Sequence, residues 1–456
     1  MTAATAPSWA AERYGIRVTD GPAGPGSVGL TMADLTRIAL RRNPKRAQLL
    51  VSTVLGKHLP IDPRIACGAG RLLGALVARC LAGEPEPPED WASAAAATVR
   101  GADPGRLAAV LPAPMPAPGV LTFGFAETAT SLGHLVADQV GTPYLHSTRR
   151  PDGPVPVTAE FVESHSHATD HLLRPDARLS LAGDGPLVLV DDELSTGRTA
   201  LNVIQALHAR FPRDRYVLAG LVDVRSPASD AVRAELAAHL GCRIDVVSLA
   251  RGTVAVPEGS TERVSRDLVG TPHPADGPRP EQPIAVREVP LPWPARLPHG
   301  GRHGFAAADR VEFDVTVRPA AAALAQACGD AGRVLVLGTE ELMYLPLRLA
   351  LALRSSGRAT AFQSTTRSPV HAIDDPGYPI RRRIDFTSMP YPGSLDRAER
   401  HVYNAGWPDA AGGGEAELIV VVDDGHSIAG PAGVAEAVAR ATGTPVVLAR
   451  LAAVAG

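Results

Sequence analysis

The sequence predicts an α/β protein made of two successive parallel sheets, each flanked by helices. Three observations carry this. Short apolar runs recur, each ending in acids, glycine or hydroxyls and each followed by a stretch with helical spacing, as expected of strands buried on both faces. The same plan is read once before residue 257 and again after residue 303. Between them prolines become dense and periodicity disappears, most plainly in Pro290-Leu291-Pro292-Trp293-Pro294, which reads as a linker.

In chain order, Val120-Leu121 leads into Phe123-Gly124-Phe125-Ala126-Glu127-Thr128-Ala129 and then the helix-like Leu132 to Val140. Tyr144 to Arg150 supplies the next strand. Leu187-Val188-Leu189-Val190 is the clearest buried strand, and it runs into Asp191-Asp192-Glu193-Leu194-Ser195-Thr196-Gly197-Arg198-Thr199-Ala200 before a helix from Leu201 to His208. Tyr216 to Arg225 and Ile244 to Leu249 add two more strands. An early stretch, Gly68-Ala69-Gly70-Arg71-Leu72-Leu73-Gly74, is one residue too long for a dinucleotide fingerprint and follows no good strand, so it reads as a close-packed helix.

The Asp191 to Thr199 stretch carries the chemistry. Ligands of open α/β sheets bind at the carboxyl ends of strands. Ser195, Thr196, Gly197, Arg198 and Thr199 are suited to wrap a phosphate with backbone N–H and hydroxyl donors at a helix N-terminus. Asp191 and Asp192 are acceptor-only groups suited to two ribose hydroxyls, and their charge favours a sugar that becomes cationic in the transition state. The plainer alternative is an acidic turn before a helix.

This segment resembles the phosphoribosyl-diphosphate (PRPP) signature of type I phosphoribosyltransferases, with Asp191 and Asp192 matching the ribose-binding acids and Ser195 to Thr199 the 5-phosphate loop. The resemblance implies the type I phosphoribosyltransferase fold, transfer of ribose 5-phosphate, and Mg2+ bound mainly through PRPP. It also implies a diphosphate loop at Gly124, Phe125, Ala126 and Glu127, Arg149 and Arg150 reaching the diphosphate, and a catalytic hood over about Pro151 to Asp184. Arg225, after the next strand, then falls on the base side. Members acting on 6-oxopurines carry an aspartate where this chain has Ser195, which points to an orotate-like arrangement.

Composition sets the remaining bounds. Of 45 basic residues only Lys45 and Lys57 are lysines, leaving 43 arginines. Two lysines kept close together suggest a need for a compact, rotatable ammonium, so both are candidate catalytic residues; a solvated helix face is the alternative. The hood holds Glu163, His165, His167 and His171. His167 is taken as a catalytic donor closing over the diphosphate, with a zinc site or an ordinary polar loop as alternatives, and no metal ligand is assigned. The formal charge of −3 gives no basic balance for nucleic acid. No run of 18 apolar residues and no leader-like start is found, giving the expectation of a cytoplasmic protein, acting as a homodimer on PRPP and a small base or its nucleotide. Cys67, Cys80, Cys242 and Cys328 form no CxxC pair and are expected to be buried.

The second half repeats the first. Val334 to Glu341 parallels Leu121 to Glu127, with Gly124 and Glu127 each 214 positions before Gly338 and Glu341. Ser364-Thr365-Thr366-Arg367-Ser368-Pro369 echoes Ser147 to Pro151, and Leu418 to Asp424 echoes Leu187 to Asp192. The phosphate cradle is rewritten as Gly425-His426-Ser427-Ile428-Ala429-Gly430, which predicts a degenerate unit that does not bind PRPP. Thr366, Arg367 and Ser368, with Tyr378 and Arg381-Arg382-Arg383 nearby, are read as a second anion site. The Thr366-Arg367-Ser368-Pro369 string and the whole layout resemble phosphoribosyltransferases with a C-terminal TRSP domain, which are associated with tellurite-resistance operons. The expected domains are 1–256 (PRPP-binding), 257–303 (linker) and 304–456 (TRSP, degenerate phosphoribosyltransferase-like). The expected reaction moves ribose 5-phosphate between PRPP and a nitrogenous base in nucleotide or nucleoside-like metabolism. The alternative is a PRPP- or nucleotide-sensing regulator without catalysis.

Overall fold

The computed structural model describes residues 8–22, 24, 26–43, 45–127, 129–150, 155–161, 171–268, 284–388, 398–406, 415–424 and 433–451. Its first sheet has six strands in the order Arg17–Asp20, Arg243–Ala255, Arg215–Asp223, Leu187–Leu194, Leu121–Gly124 and Tyr144–His146. All are parallel except Arg17–Asp20, which runs antiparallel to Arg243–Ala255. Leu187 to Val190 are buried and Asp191 to Glu193 half-buried, so the apolar run lies inside the sheet and the acids emerge at its carboxyl end.

The second sheet orders Val286–Leu291, Val446–Leu451, Leu418–Asp423, Arg333–Gly338 and Ala359–Ser364, all parallel. Its last four strands reproduce the last four of the first sheet in order and direction. A short antiparallel hairpin precedes the acid-bearing strand in each unit, Ala159–Phe161 with His171–Leu173 in the first and Arg383–Ser388 with Ala398–Tyr403 in the second. Thr148 bridges to Leu172 as Thr366 bridges to His401. The α/β fold and the repeated unit are therefore as the sequence predicts.

Two parts of the sequence reading need correction. Within 257–303, Ser260–Leu268 is a helix and Val286–Leu291 the edge strand of the second sheet. Pro290 hides that strand from a periodicity reading, yet proline is tolerated on an edge, where its missing N–H faces no partner. Lys45 does not lie on a helix face: it sits in the turn of a hairpin, Thr36–Leu40 with Gln48–Ser52. That hairpin joins the second unit, where Leu40 N donates to Tyr378 Oη at 2.8 Å and His371 N to Leu40 O at 2.9 Å.

Pro63–Ala82 is a helix because Asp62 caps it through the Arg64 amide at 2.9 Å, Pro63 presets its first turn, and Gly83 closes it in the left-handed conformation. It has the length and apolarity of a membrane span but is buried against Thr130–Val140. A Cβ at Gly70 would lie 2.6 Å from Leu135, and one at Gly74 2.7 Å from Gln139, so these glycines permit the close helix approach. All four cysteines are free, Cys67 and Cys328 buried and the other two half-buried. Burial pushes the Cys67 thiol up to about 12.

The units cover each other's sheet edges. Ile61 and Phe362 exchange backbone hydrogen bonds of 3.0 and 2.8 Å, and Ser364 N donates to Gly56 O at 2.8 Å. On the other side Tyr144 and Phe305 exchange two of 2.8 Å, and His146 N donates to Gly301 O at 2.9 Å. Exposed edges invite association with other chains; here both are occupied from within. One hydrophobic core, including Leu72, Leu135, Phe313, Tyr344 and Val420, runs through both units.

Candidate active site

Asp191 and Asp192 stand at the end of their strand with Asp192 N donating to the Asp191 carboxylate at 2.9 Å. Beyond them Gly197 takes φ +70°, a conformation that costs a residue with a Cβ, and opens the helix Arg198–His208. No side chain caps that helix through Gly197, and Thr196 and Arg198 are exposed while Ser195 and Thr199 are half-buried. The loop is thus an accessible turn of amides and hydroxyls at a helix N-terminus beside two carboxylates. Sequence reasoning missed that Arg46, beside Lys45, reaches Glu193 at 2.7 Å. The hairpin carrying Lys45 is thereby tied to the strand bearing the acids.

Arg225, expected on the base side, is already paired within its own unit. Its guanidinium is held by Asp223 at 2.9 Å and Asp230 at 2.9 Å, and only 3% of its side chain is exposed. It lies beneath Gly197, where an added Cβ would come within 3.3 Å of its Cδ. It therefore packs against the turn at Gly197. A cavity of about 630 Å³ touches Arg225 and follows Arg243–Ala255. Its lining omits Asp191 to Thr199, so the strand ends, where acids and donors converge, are the better candidate for chemistry.

The predicted diphosphate loop is more internal than its sequence suggests. A Cβ on Gly124 would meet Tyr144 Oη at 2.2 Å. Phe125 packs against Phe123, Phe161 and His171. The Phe125 amide donates to Val190 O at 3.3 Å and the Ala126 amide to Ser147 Oγ at 2.9 Å. These groups shape the loop, and their amides are already engaged. Ser147 Oγ also meets His171 Nδ1 at 2.8 Å, and His171 stacks on Phe161 at 4.8 Å. His171 is thus a core residue of the hairpin, while Glu163, His165 and His167 lie outside the described residues, as do Thr128 and Gly425 to Gly430.

Glu127 is buried and forms an ion pair with Arg367 of the second unit. Burial raises its carboxyl, opposed by Arg367. Arg149 is close enough to Glu127 to favour its charge, consistent with a place near the diphosphate loop. Arg150 departs from expectation: it is buried 3.4 Å from Asp424, an acid of the other unit. Arg367 also differs from the open donor fork that the sequence suggested. Besides Glu127 it meets Glu340 at 3.2 Å, so carboxylates already hold it. The Thr366 hydroxyl accepts from Ser368 N at 3.0 Å, and Ser368 O accepts from Tyr403 at 2.7 Å.

Around the second unit's acids the arginines close in. Glu341 accepts from Arg302 Nε at 2.9 Å, Thr148 Oγ1 at 2.9 Å and Arg149 N at 2.9 Å. Arg302 also lies 3.4 Å from Asp424. Burial alone would raise Glu341, yet Arg302 and Arg150 outweigh it and hold the carboxyl well below the usual range. Arg302 was missed, although Gly301-Arg302-His303 repeats Gly56-Lys57-His58. That repeat was the available signal. Each string precedes a helix of 20 residues, Asp309–Cys328 or Pro63–Ala82, and each places its glycine carbonyl on the edge strand of the other unit. Lys57, half-buried, thus occupies in the first unit the position that Arg302 holds in the second.

A family model for phosphoribosyl transferases matches residues 35–253, and a model for the TRSP domain C-terminal to that family matches residues 299–438. Among solved structures, adenine phosphoribosyltransferase from Trypanosoma brucei, in complex with AMP, pyrophosphate and ribose-5-phosphate, is 11% identical over 58% of this chain and 96% of its own, with a TM-score of 0.31. The adenine enzyme of Thermoanaerobacter pseudethanolicus is 19% identical over 34% and 81%, TM-score 0.23. Orotate phosphoribosyltransferase from Aeropyrum pernix is 18% identical over 34% and 67%, TM-score 0.17. No curated protein sequence matches. On the two family matches, the chain is a phosphoribosyltransferase-family domain followed by a TRSP domain.

Proposed function

We propose that the first unit transfers ribose 5-phosphate between PRPP and a nitrogenous base. The observation that carries this reading is the open Ser195 to Thr199 turn at the N-terminus of Arg198–His208, directly after the half-buried Asp191-Asp192 pair. In this reading the 5-phosphate lies in the turn, received by amides and hydroxyls. Asp191 and Asp192 accept from the ribose hydroxyls and stabilise positive charge at C1′ as the bond to the diphosphate oxygen breaks and the bond to the base nitrogen forms. The diphosphate leaves toward Arg149, which lies close to Glu127, and toward Lys57, the counterpart of Arg302 in the repeated unit. Lys45 sits in the turn of the hairpin that Arg46 ties to Glu193.

The half-buried carboxylate oxygens of Asp191 and Asp192 suit a hard divalent cation. Mg2+ carried in mainly on PRPP oxygens would rest there and offset charge on the leaving diphosphate. Serine at position 195 favours an orotate-like base over a 6-oxopurine, because no carboxylate base stands at that place in the turn. The test is mass spectrometry of the pure protein with PRPP, Mg2+ and a panel of pyrimidine and purine bases. Formation of a ribonucleotide with release of diphosphate supports the reading. Tight PRPP binding with no product from any base would favour the sensing alternative.

A further inference from the structure

The two units hold each other's acidic loops. Glu127, between Leu121–Gly124 and Thr130–Val140, is paired with Arg367 of the second unit. Its counterpart Glu341 follows Arg333–Gly338 and receives Thr148 Oγ1 and Arg149 N of the first unit. The exchange is reciprocal and nearly two-fold, the arrangement that two subunits of a symmetric dimer make with each other.

The two halves are nevertheless unequal. In the second unit Asp424 lies 3.4 Å from both Arg150 and Arg302 and 3.9 Å from His299, and none of its side chain is exposed. A sugar diphosphate arriving there would have to displace the buried Arg150 and the half-buried Arg302 from buried carboxylates. In the first unit Asp191 and Asp192 are half-buried beside an accessible turn. Glu340 has Arg400 at 3.0 Å and Ser388 at 2.8 Å besides Arg367 Nη2 at 3.2 Å, so it does not depend on Arg367 alone, whose Nε serves Glu127. Without Arg367, a buried carboxylate would face the incoming diphosphate, and breaking a buried pair leaves an uncompensated charge.

We infer that the second unit is a built-in, non-catalytic subunit whose Arg367 positions the diphosphate loop of a single PRPP site in the first. This rests on the proposed function, since it assigns the Glu127 loop to the diphosphate. Arg367 acts through Glu127 and is a positioning residue.

Calorimetric titration of the full chain with Mg-PRPP and, separately, with ribose 5-phosphate tests this. Wild type is expected to bind about one PRPP per chain. Arg367→Ala is expected to weaken PRPP and inorganic diphosphate by at least about tenfold, about 1.4 kcal/mol, while ribose 5-phosphate, which has no diphosphate, binds nearly as before. Arg367→Lys should recover part of the loss. Glu127→Gln added to Arg367→Ala should recover part as well, because it removes the unpaired charge. Two PRPP per chain would overturn the inference, as would equal weakening of PRPP and ribose 5-phosphate or no weakening of either, all with the PRPP site in the first unit intact. Wild type that binds no PRPP would instead overturn the assignment of the site, and the inference with it.

Discussion

Arg302 Nε lies 2.9 Å from Glu341, a carboxylate with 1% of its side chain exposed, and the same guanidinium stands 3.4 Å from the fully buried Asp424. One arginine near the start of the second unit thus neutralises two acids at the end of the second sheet. Removing one partner of a buried pair leaves the other charged and dry, at a cost of about 3 to 5 kcal/mol. Arg302→Met is therefore expected to lower the urea midpoint strongly. Arg296, 72% exposed and paired with Glu312, is the control: Arg296→Met should stay within about 0.5 kcal/mol. Equal midpoints for the two variants would show that the Arg302 cluster contributes no net stability.

His146 predicts how stability depends on pH. It is buried, donates from Nδ1 to Ser147 O at 2.9 Å, and has its pKa lowered to about 4, chiefly by burial. The unfolded chain takes up a proton near pH 6.5 that the folded chain refuses until about pH 4. The contribution is thus fully present above about 6.5 and lost as pH falls through 4, roughly 3 kcal/mol in all. His58 and His134, also lowered by burial, act in the same direction. Melting temperatures between pH 7 and 4.5 should fall less steeply in His146→Gln than in wild type, and parallel curves would remove His146 as a source of the acid sensitivity.

The strands bearing acids were legible because a buried parallel strand needs a continuous apolar run, and the repeat showed each one twice. The Thr36–Leu40 and Gln48–Ser52 hairpin was not, because its strands are short and its apolar face is completed by residues such as Tyr378 and Tyr403 far along the chain. The same limit hid the arginines' partners. Arg150 meets Asp424 across 274 positions and Thr148 meets Glu341 across 193; a sequence shows that an arginine is present but not which carboxylate the fold brings to it. Only the Gly-Lys-His and Gly-Arg-His strings carried a local sign of that relation.

That relation makes Lys57 a sharper target than Lys45. Lys57 follows Gly56 on the edge of the second sheet as Arg302 follows Gly301 on the edge of the first, and Arg302 reaches the second unit's Glu341 and Asp424. Lys57→Arg, which keeps the charge but replaces the compact ammonium with a planar fork, is expected to lower kcat/KM for PRPP by at least about tenfold, or about 1.4 kcal/mol of barrier, at an unchanged melting temperature. Lys45→Arg, exposed in its hairpin turn, should lower it less. Wild-type kinetics in both variants would return the lysines to a solvated surface role.

The most direct test of the site is the paired change Asp191→Asn with Asp192→Asn. Asparagine keeps the size and one carbonyl oxygen but brings an amide donor where a ribose hydroxyl needs an acceptor, and it removes both charges. Each hydrogen bond to a charged group is worth about 1.5 to 3 kcal/mol, so losing two should cost about 3 to 6 kcal/mol, roughly 10² to 10⁴ in PRPP affinity. The fold should survive, because both side chains are half-buried and the strand's core is Leu187 to Val190. Free phosphate bound by the Ser195 to Thr199 turn should be little affected, since its donors are amides and hydroxyls. Calorimetry is therefore expected to show PRPP binding lost with phosphate binding kept; unchanged PRPP affinity in a folded double variant would remove the acids from the ribose site.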